Sequence, residues 1–202
     1  MSVRLLILKH TIWYGMLQTM TRLKKDEWLE HGLKNLAASG PSALTINGMC
    51  GHIGVTKGSF YHHFKSRNVF IGELLAYWEQ RDTNRIISHA NEVGDVKERV
   101  NRLDDEISRF DSRLERAIRS WARQSKDVAK VLNRVDKRRI GYLHEVYSEY
   151  SLEEHTVRQC SLLAYACYVG TQELSPIISK KESDELNERF NQLLEAYVSR
   201  QY

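Results

Sequence analysis

The sequence predicts an all-α protein, and three observations carry that expectation. Only Pro41 and Pro176 occur among 202 residues, and neither falls inside an apolar-periodic run. Apolar residues recur at spacings of three and four along most of the chain. No sustained alternation of apolar and polar residues marks a strand.

A first helix is expected from about Asp26 to Ser39, with Trp28, Leu29, Leu33, Leu36 and Ala37 on one side and Gly40-Pro41 as its stop. Thr45 can N-cap a short second helix, whose Ile46, Met49, Cys50 and Ile53 keep the i, i+3, i+4, i+7 pattern before Gly54 ends it. Gly48 and Gly51 inside that helix each cost about 1 kcal/mol relative to Ala, which puts its rigidity in question. Thr56 can cap a third helix, with Val55 and Phe60 placed as a hydrophobic staple. A fourth begins near Ser66, carries Phe70, Ile71, Leu74, Leu75 and Trp78, and runs to about His89. The four helices up to Trp78 can form one small core, so a domain boundary is expected inside the fourth.

Beyond the break at Asn91 to Asp95, Val96, Val100, Leu103, Ile107 and Phe110 define a long amphipathic helix, and Leu114, Ala117, Ile118 and Trp121 continue after a bend. Asp127 is the expected cap of a helix bearing Val128, Val131, Leu132 and Val135 and continuing through Leu143; the charged run Asp136 to Arg139 reads as its solvated face. Ser151 and Glu154 have the spacing of a capping box ahead of Val157 to Glu173, a helix apolar nearly all round and therefore buried. The last helix carries Leu186, Phe190, Leu193, Leu194, Tyr197 and Val198 as one stripe.

No stretch approaches the roughly 18 apolar residues of a membrane helix, and Lys9 and His10 cut the run after Arg4 short of signal-peptide length. Neither a membrane partner nor an export signal is expected. Cys50, Cys160 and Cys167 are odd in number and match no metal-binding spacing, which points to a reducing cytoplasm and to no metal or cofactor. No nucleophile–base pair, paired carboxylates or phosphate-cradling loop suggests an enzyme. The net charge of +4 is modest, but between Glu30 and Glu73 there is not one acidic residue, while Lys34, Lys57, Lys65, Arg67 and four histidines fall there. A surface built from that window suits a polyanion.

Two short helices joined by a tight turn at Ile53-Gly54-Val55, the second opening with small polar and basic residues, describe a helix-turn-helix. The side chains available to meet phosphates or base edges are those of Thr56, Lys57, Ser59, Tyr61 and His62, with Gly58 permitting close backbone approach and Phe60 and Phe64 turned inward. Adjacent His62 and His63 point about 100° apart on a helix and have no carboxylate or cysteine close by in sequence, so a metal site is not expected of them.

The stretch Gly54 to Arg67, Gly-Val-Thr-Lys-Gly-Ser-Phe-Tyr-His-His-Phe-Lys-Ser-Arg, resembles the signature of the TetR family of bacterial regulators. That pattern reads Gly-Val-Ser/Thr-Lys-Gly-x-aromatic or Leu-Tyr-x-His-Phe-x-x-Lys and extends upstream to the position of Thr45. The resemblance covers Asp26 to Trp78, and Trp121 to Tyr142 is similar, less specifically, to a TetR-type sensor domain. It implies an N-terminal three-helix helix-turn-helix domain joined through the fourth helix to a ligand-sensing and dimerisation bundle. Its implied function is a homodimeric repressor bound to double-stranded operator DNA and released by a small-molecule effector. Residues 21–78 would be the DNA-binding domain and 79–202 the regulatory and dimerisation domain. Residues 1–20 would be an N-terminal extension, either a basic arm or the product of a start codon chosen upstream of Met20.

Carried over by position, the resemblance implies that Thr45 and Tyr61 contact phosphates, that Thr56 and Lys57 open the recognition helix on DNA, and that His62 and His63 lie at or beside the backbone. Lys65 adds charge there, and Arg67, where the family pattern has Lys, keeps a cation at the start of the fourth helix, whose dipole also favours a phosphate. The helix through Val157 to Glu173 and the final stripe would form half of a four-helix bundle completed by a second subunit. Trp121, Tyr142, Tyr165 and Tyr168 are the candidates to line an effector pocket, although core filling explains such aromatics equally well. The rival reading is a helical scaffold that uses the same bundle without DNA.

Overall fold

The computed structural model describes residues 23–199. The expected N-terminal extension, residues 1–20, lies outside them. All regular structure among the described residues is helical: α1 (Lys25–Ser39), a 3₁₀ turn (Pro41–Ala43), α2 (Ile46–Ile53), α3 (Lys57–His63), α4, α5 (Val96–Ser108), α6 (Ser112–Ala122), α7 (Lys126–Tyr147), α8 (Glu154–Leu174) and α9 (Lys180–Ser199). Helix α4 is continuous, built from Arg67–Glu79, a π-helical turn at Gln80–Asn84, and Arg85–Ala90. No helix among the described residues is long and apolar enough to cross a membrane.

Local chemistry starts most of these helices. The hydroxyls of Thr45, Thr56 and Ser66 accept from the backbone N–H groups of Gly48, Ser59 and Val69 at 3.0, 3.4 and 3.2 Å, each satisfying one donor that a helix start leaves open. Two expected caps are corrected. Helix α7 is capped by Ser125, whose hydroxyl accepts from Val128 at 3.5 Å, while Asp127 sits inside the first turn, favourable to the helix dipole. The Ser151–Glu154 box does not form: Glu153 takes the cap position without a side-chain bond, and Glu154 pairs with His144 at 3.0 Å.

The N-terminal core is aromatic. Trp28, Phe60, Phe64 and Phe70 are buried, with Trp28–Phe60 and Phe64–Phe70 edge-to-face at 5.6 and 5.0 Å. Gly32 lets α4 cross α1 closely, since a Cβ there would lie 2.8 Å from Leu74 Cδ1 and 2.9 Å from Phe70 Cζ. This core does not end at Trp78, because Leu114 and Ile118 of α6 and Val128, Leu132 and Val135 of α7 belong to it. A second core gathers Ile87, Tyr142, Val146, Tyr147, Val157 and Cys160. The expectation that α8 is buried all round is not met within one chain: Leu162 and Leu163 are 43% and 59% exposed. Leu186, Leu193 and Tyr197 of α9 are exposed as well, and the side chain of Val198 lies outside the described ones.

Candidate nucleic-acid interface and ligand cavity

Gly54 closes α2 in the left-handed region at φ 79°, and its N–H and that of Val55 both donate to the Cys50 carbonyl, at 2.9 and 3.0 Å. The chain leaves this turn directly into Thr56 and the seven residues of α3. Glycine at 48 also has a structural reason. A Cβ there would come 2.6 Å from the Ala43 carbonyl oxygen, so its absence lets α2 begin tight against the preceding 3₁₀ turn. Gly51 has no such neighbour within 4 Å.

Helix α3 divides into two faces. Phe60 and, just beyond the helix, Phe64 are buried, with Val55 packed beside them. Thr45, Thr56, Lys57, Gly58, Tyr61, His62 and Lys65 are exposed, Tyr61 at 55%, and Ser59 is half-buried. Both capping threonines use their oxygen as acceptor, which leaves each O–H free to donate outward. A Cβ on Gly58 would touch only Thr56 Oγ1, at 3.6 Å, so this fold does not itself demand glycine there. Asn47 and His52 of α2 are exposed too, although apolar periodicity gave no reason to single them out.

Two candidates differ from expectation. His63 is half-buried and its Nε2 is shielded from solvent without a hydrogen-bond partner among the described residues. The Nε of Arg67 donates to the Leu44 carbonyl at 2.7 Å, tying the start of α4 to the end of the 3₁₀ turn. Its guanidinium is thus partly committed to holding the motif together. Burial raises the Cys50 thiol above its ordinary value despite nearby Lys57, which suits an inert core position.

In the second half, a cavity of about 100 Å³ lies between α4, α5, α7, α8 and α9. Tyr142, Tyr165 and Tyr168 line it; Trp121 does not, and packs half-buried against the N-terminal core. The cavity also takes polar side chains that periodicity could not reveal, among them Asp82, Thr83, Asp104, Arg139, Asn187 and Asn191.

A charged layer separates this cavity from the N-terminal core. Glu115 receives Arg119 at 2.9 Å and Arg139 at 3.1 Å. Arg119 also reaches Asp136 at 2.9 Å and the Tyr165 hydroxyl oxygen at 2.9 Å. Arg139 lies against the rings of Trp78 and Tyr168, 5.4 and 5.7 Å from their centroids, and donates to Thr83 Oγ1 at 3.0 Å. Asp136 and Arg139 therefore face inward, contrary to the expected solvated run, because residues three apart share one face of a helix. Towards the N-terminal core, Arg81 joins Asp82 at 2.5 Å to Glu30 of α1 at 3.0 Å. The Tyr77 hydroxyl donates to Glu30 at 2.6 Å, and burial together with that carboxylate pushes it up to about 12. No group of three His, Cys, Asp or Glu side chains among the described residues is placed to hold a metal ion.

No protein-family model and no curated protein matches the sequence. Solved structures do. A TetR-family transcriptional regulator from Streptomyces coelicolor is similar at 12% identity, with a TM-score of 0.70 over 84% of this chain and 87% of that one. NemR of E. coli in its reduced form matches at 17% identity and TM-score 0.70, covering 84% and 95% of the two chains. A TetR transcription regulator from Haloarcula marismortui matches at 16% identity and TM-score 0.66, over 87% and 96%. The fold of this chain is that of TetR/AcrR-type transcriptional regulators.

Proposed function

We propose that the chain is a sequence-specific, DNA-binding transcriptional regulator of the TetR type, working as a cytoplasmic homodimeric repressor that a small molecule releases from its operator. The observation that carries the reading is α3 itself: buried aromatics on one face, and on the other Thr56, Lys57, Gly58 and Tyr61 in a 42-residue window without a carboxylate (residues 31–72). DNA contacts are assigned to Thr45, Thr56, Lys57, Gly58, Ser59, Tyr61, His62 and Lys65, with His63 and Arg67 shaping the motif from behind. Residues 21–78 supply this function, and 79–202 supply sensing and assembly.

The exposed leucines of α8 and α9 support a two-fold helical interface, which would set two recognition helices roughly 34 to 36 Å apart, or a multiple of that, to meet palindromic half-sites. Two ion-paired groups, Glu30–Arg81–Asp82 and Arg139–Glu115, are joined where Arg139 donates to the Asp82 backbone carbonyl at 3.4 Å, and this path from α1 to the cavity wall supports coupling between cavity and DNA. Binding of effector and of DNA then oppose one another reciprocally.

The test is fluorescence anisotropy with the DNA upstream of the gene. Lys57→Ala combined with Tyr61→Ala is expected to weaken binding by tenfold or more while leaving the thermal melt unchanged, because both side chains are exposed. Unchanged affinity would overturn the interface and favour a scaffold role.

A further inference from the structure

We propose that the cavity selects organic monocations with an apolar body, held by the carboxylate of Asp104; this rests on the reading of the cavity as an effector site. The argument starts from charge accounting around the cavity wall. Arg139, the only cation lining it among the described residues, is paired with Glu115, and Asp82 shares Arg81 with Glu30. Asp104 has no such partner. Among the described residues no cation lies within ion-pair distance of it, and Asn191 alone donates to its carboxylate.

Burial pushes the Asp104 carboxyl up to about 6, with Asp105 adding to the rise and the Asn191 bond opposing it. The group is therefore ionised at neutral pH but at an energetic cost, which a cation in the cavity would offset. An anion would meet that carboxylate without a free guanidinium to compensate.

The approach to the cavity has the same sign. An outer cleft between α5 and α9 shares Asp104, Ile107, Asn187 and Asn191 with it, and adds Asp105, Asp184, Glu188 and Glu195 against the single cation Lys97. Lys97 is itself 3.5 Å from Glu195, and Lys180, beside the cleft, is 3.3 Å from Asp184, which leaves Asp104, Asp105 and Glu188 as the cleft's excess of negative charge. A cleft of one sign raises the local concentration of the opposite ion. Inside, Ile86, Leu103, Phe110, Tyr142, Tyr147 and Phe190 offer apolar and aromatic wall, which suits the body of such a ligand and the faces of which attract a cation.

The experiment uses the full chain and compares matched probes by isothermal titration calorimetry and thermal shift, without DNA. Benzyltrimethylammonium and hexyltrimethylammonium are set against neopentylbenzene, the uncharged isostere of the first, and 3-phenylpropanoate. The expected result is that the cations bind at least tenfold more tightly than either counterpart. Asp104→Asn, nearly isosteric and relieved of the buried charge, should remove that preference while neopentylbenzene binds as before. Equal or tighter binding of the neutral or anionic probe, an unchanged preference in Asp104→Asn, or no binding by either ammonium ion would overturn the inference. Anisotropy on operator DNA is then a separate arm. A cation that binds through Asp104 yet leaves DNA affinity unchanged upholds the ligand class and refutes the effector reading.

Discussion

Removing Glu115 should be among the most destabilising single changes outside the apolar core. Its side chain is 7% exposed and answers two guanidinium groups, Arg119 at 2.9 Å and Arg139 at 3.1 Å. Arg119 keeps Asp136 and Tyr165 when Glu115 is removed, but Arg139 keeps only neutral acceptors and the rings of Trp78 and Tyr168. With Arg139 at 12% exposure, solvent screens little of the missing attraction. At an effective dielectric constant near 20 and a charge separation of about 4 Å, that attraction is roughly 4 kcal/mol. It agrees with the roughly 3–5 kcal/mol that breaking a buried pair from one side costs. Glu115→Leu is therefore expected to lower the unfolding free energy by about 3–5 kcal/mol in urea titration. The double variant Glu115→Leu with Arg139→Met, which fills the same space without charge, should recover about 2 kcal/mol or more of that loss. Additive effects, or a single-variant loss below about 1 kcal/mol, would refute the claim that these charges depend on one another.

Gly51→Ala should stabilise the protein by about 1 kcal/mol, the difference in helix propensity, because nothing stands within 4 Å of the new methyl. Gly48→Ala should instead destabilise it, and thermal melts of the pair read the contrast directly. Asp104 gives a pH signature: its folded-state pKa is raised from 3.8 to about 6, so its protonated form favours folding. That contribution is full below pH 3.8 and disappears as pH rises through 6. Stability profiles of Asp104→Asn should lack this decline, and an identical profile would contradict the placement of the carboxyl. Lys57→Ala and Lys65→Ala should each make log K shallower against log salt by about one unit for every phosphate left without its cation, whereas Arg67→Ala should also lower the melting temperature through Leu44. Leu163→Asp should shift the oligomer toward monomer in sedimentation, since this leucine is 59% exposed within one chain.

What could be read from sequence was local. Thr45, Thr56 and Ser66 reach donors three residues on, and Gly54 closes a turn within four, so residue type and spacing are enough. The two missed caps failed for the same reason in reverse. Asp127 and the Ser151–Glu154 pair had the right spacing, but Ser125 was better placed for the one and His144, ten residues before Glu154, drew the carboxylate away from the other. The charged layer was illegible because its partners lie 24 residues apart for Arg139 and Glu115, and 51 for Arg81 and Glu30. A run such as Asp136-Lys137-Arg138-Arg139 looks solvated until its neighbours are known. Trp121 was misplaced for a related reason: helical periodicity tells that an aromatic faces inward but not which of two cores it enters. The exposed side of α3 was legible because solvent and core sort a short helix by residue type alone.

The π-helical turn at Gln80–Asn84 bears on how α4 is seated. There the Arg85 N–H donates to the Gln80 carbonyl, five residues back instead of four. The buried positions Phe70, Leu74, Trp78, Asp82, Ile86 and Ala90 repeat every four residues, a stripe that would wander around a straight α-helix at about 3.6 residues per turn. The wider turn takes up part of that phase error and keeps both ends of α4 seated. It amounts to one surplus residue stored in the backbone at a single place, between the segment seated on the N-terminal core and the segment seated on the second core. Asp82 and Thr83, which line the cavity, lie within this turn, so the cavity wall and the phase correction of α4 are made by the same residues.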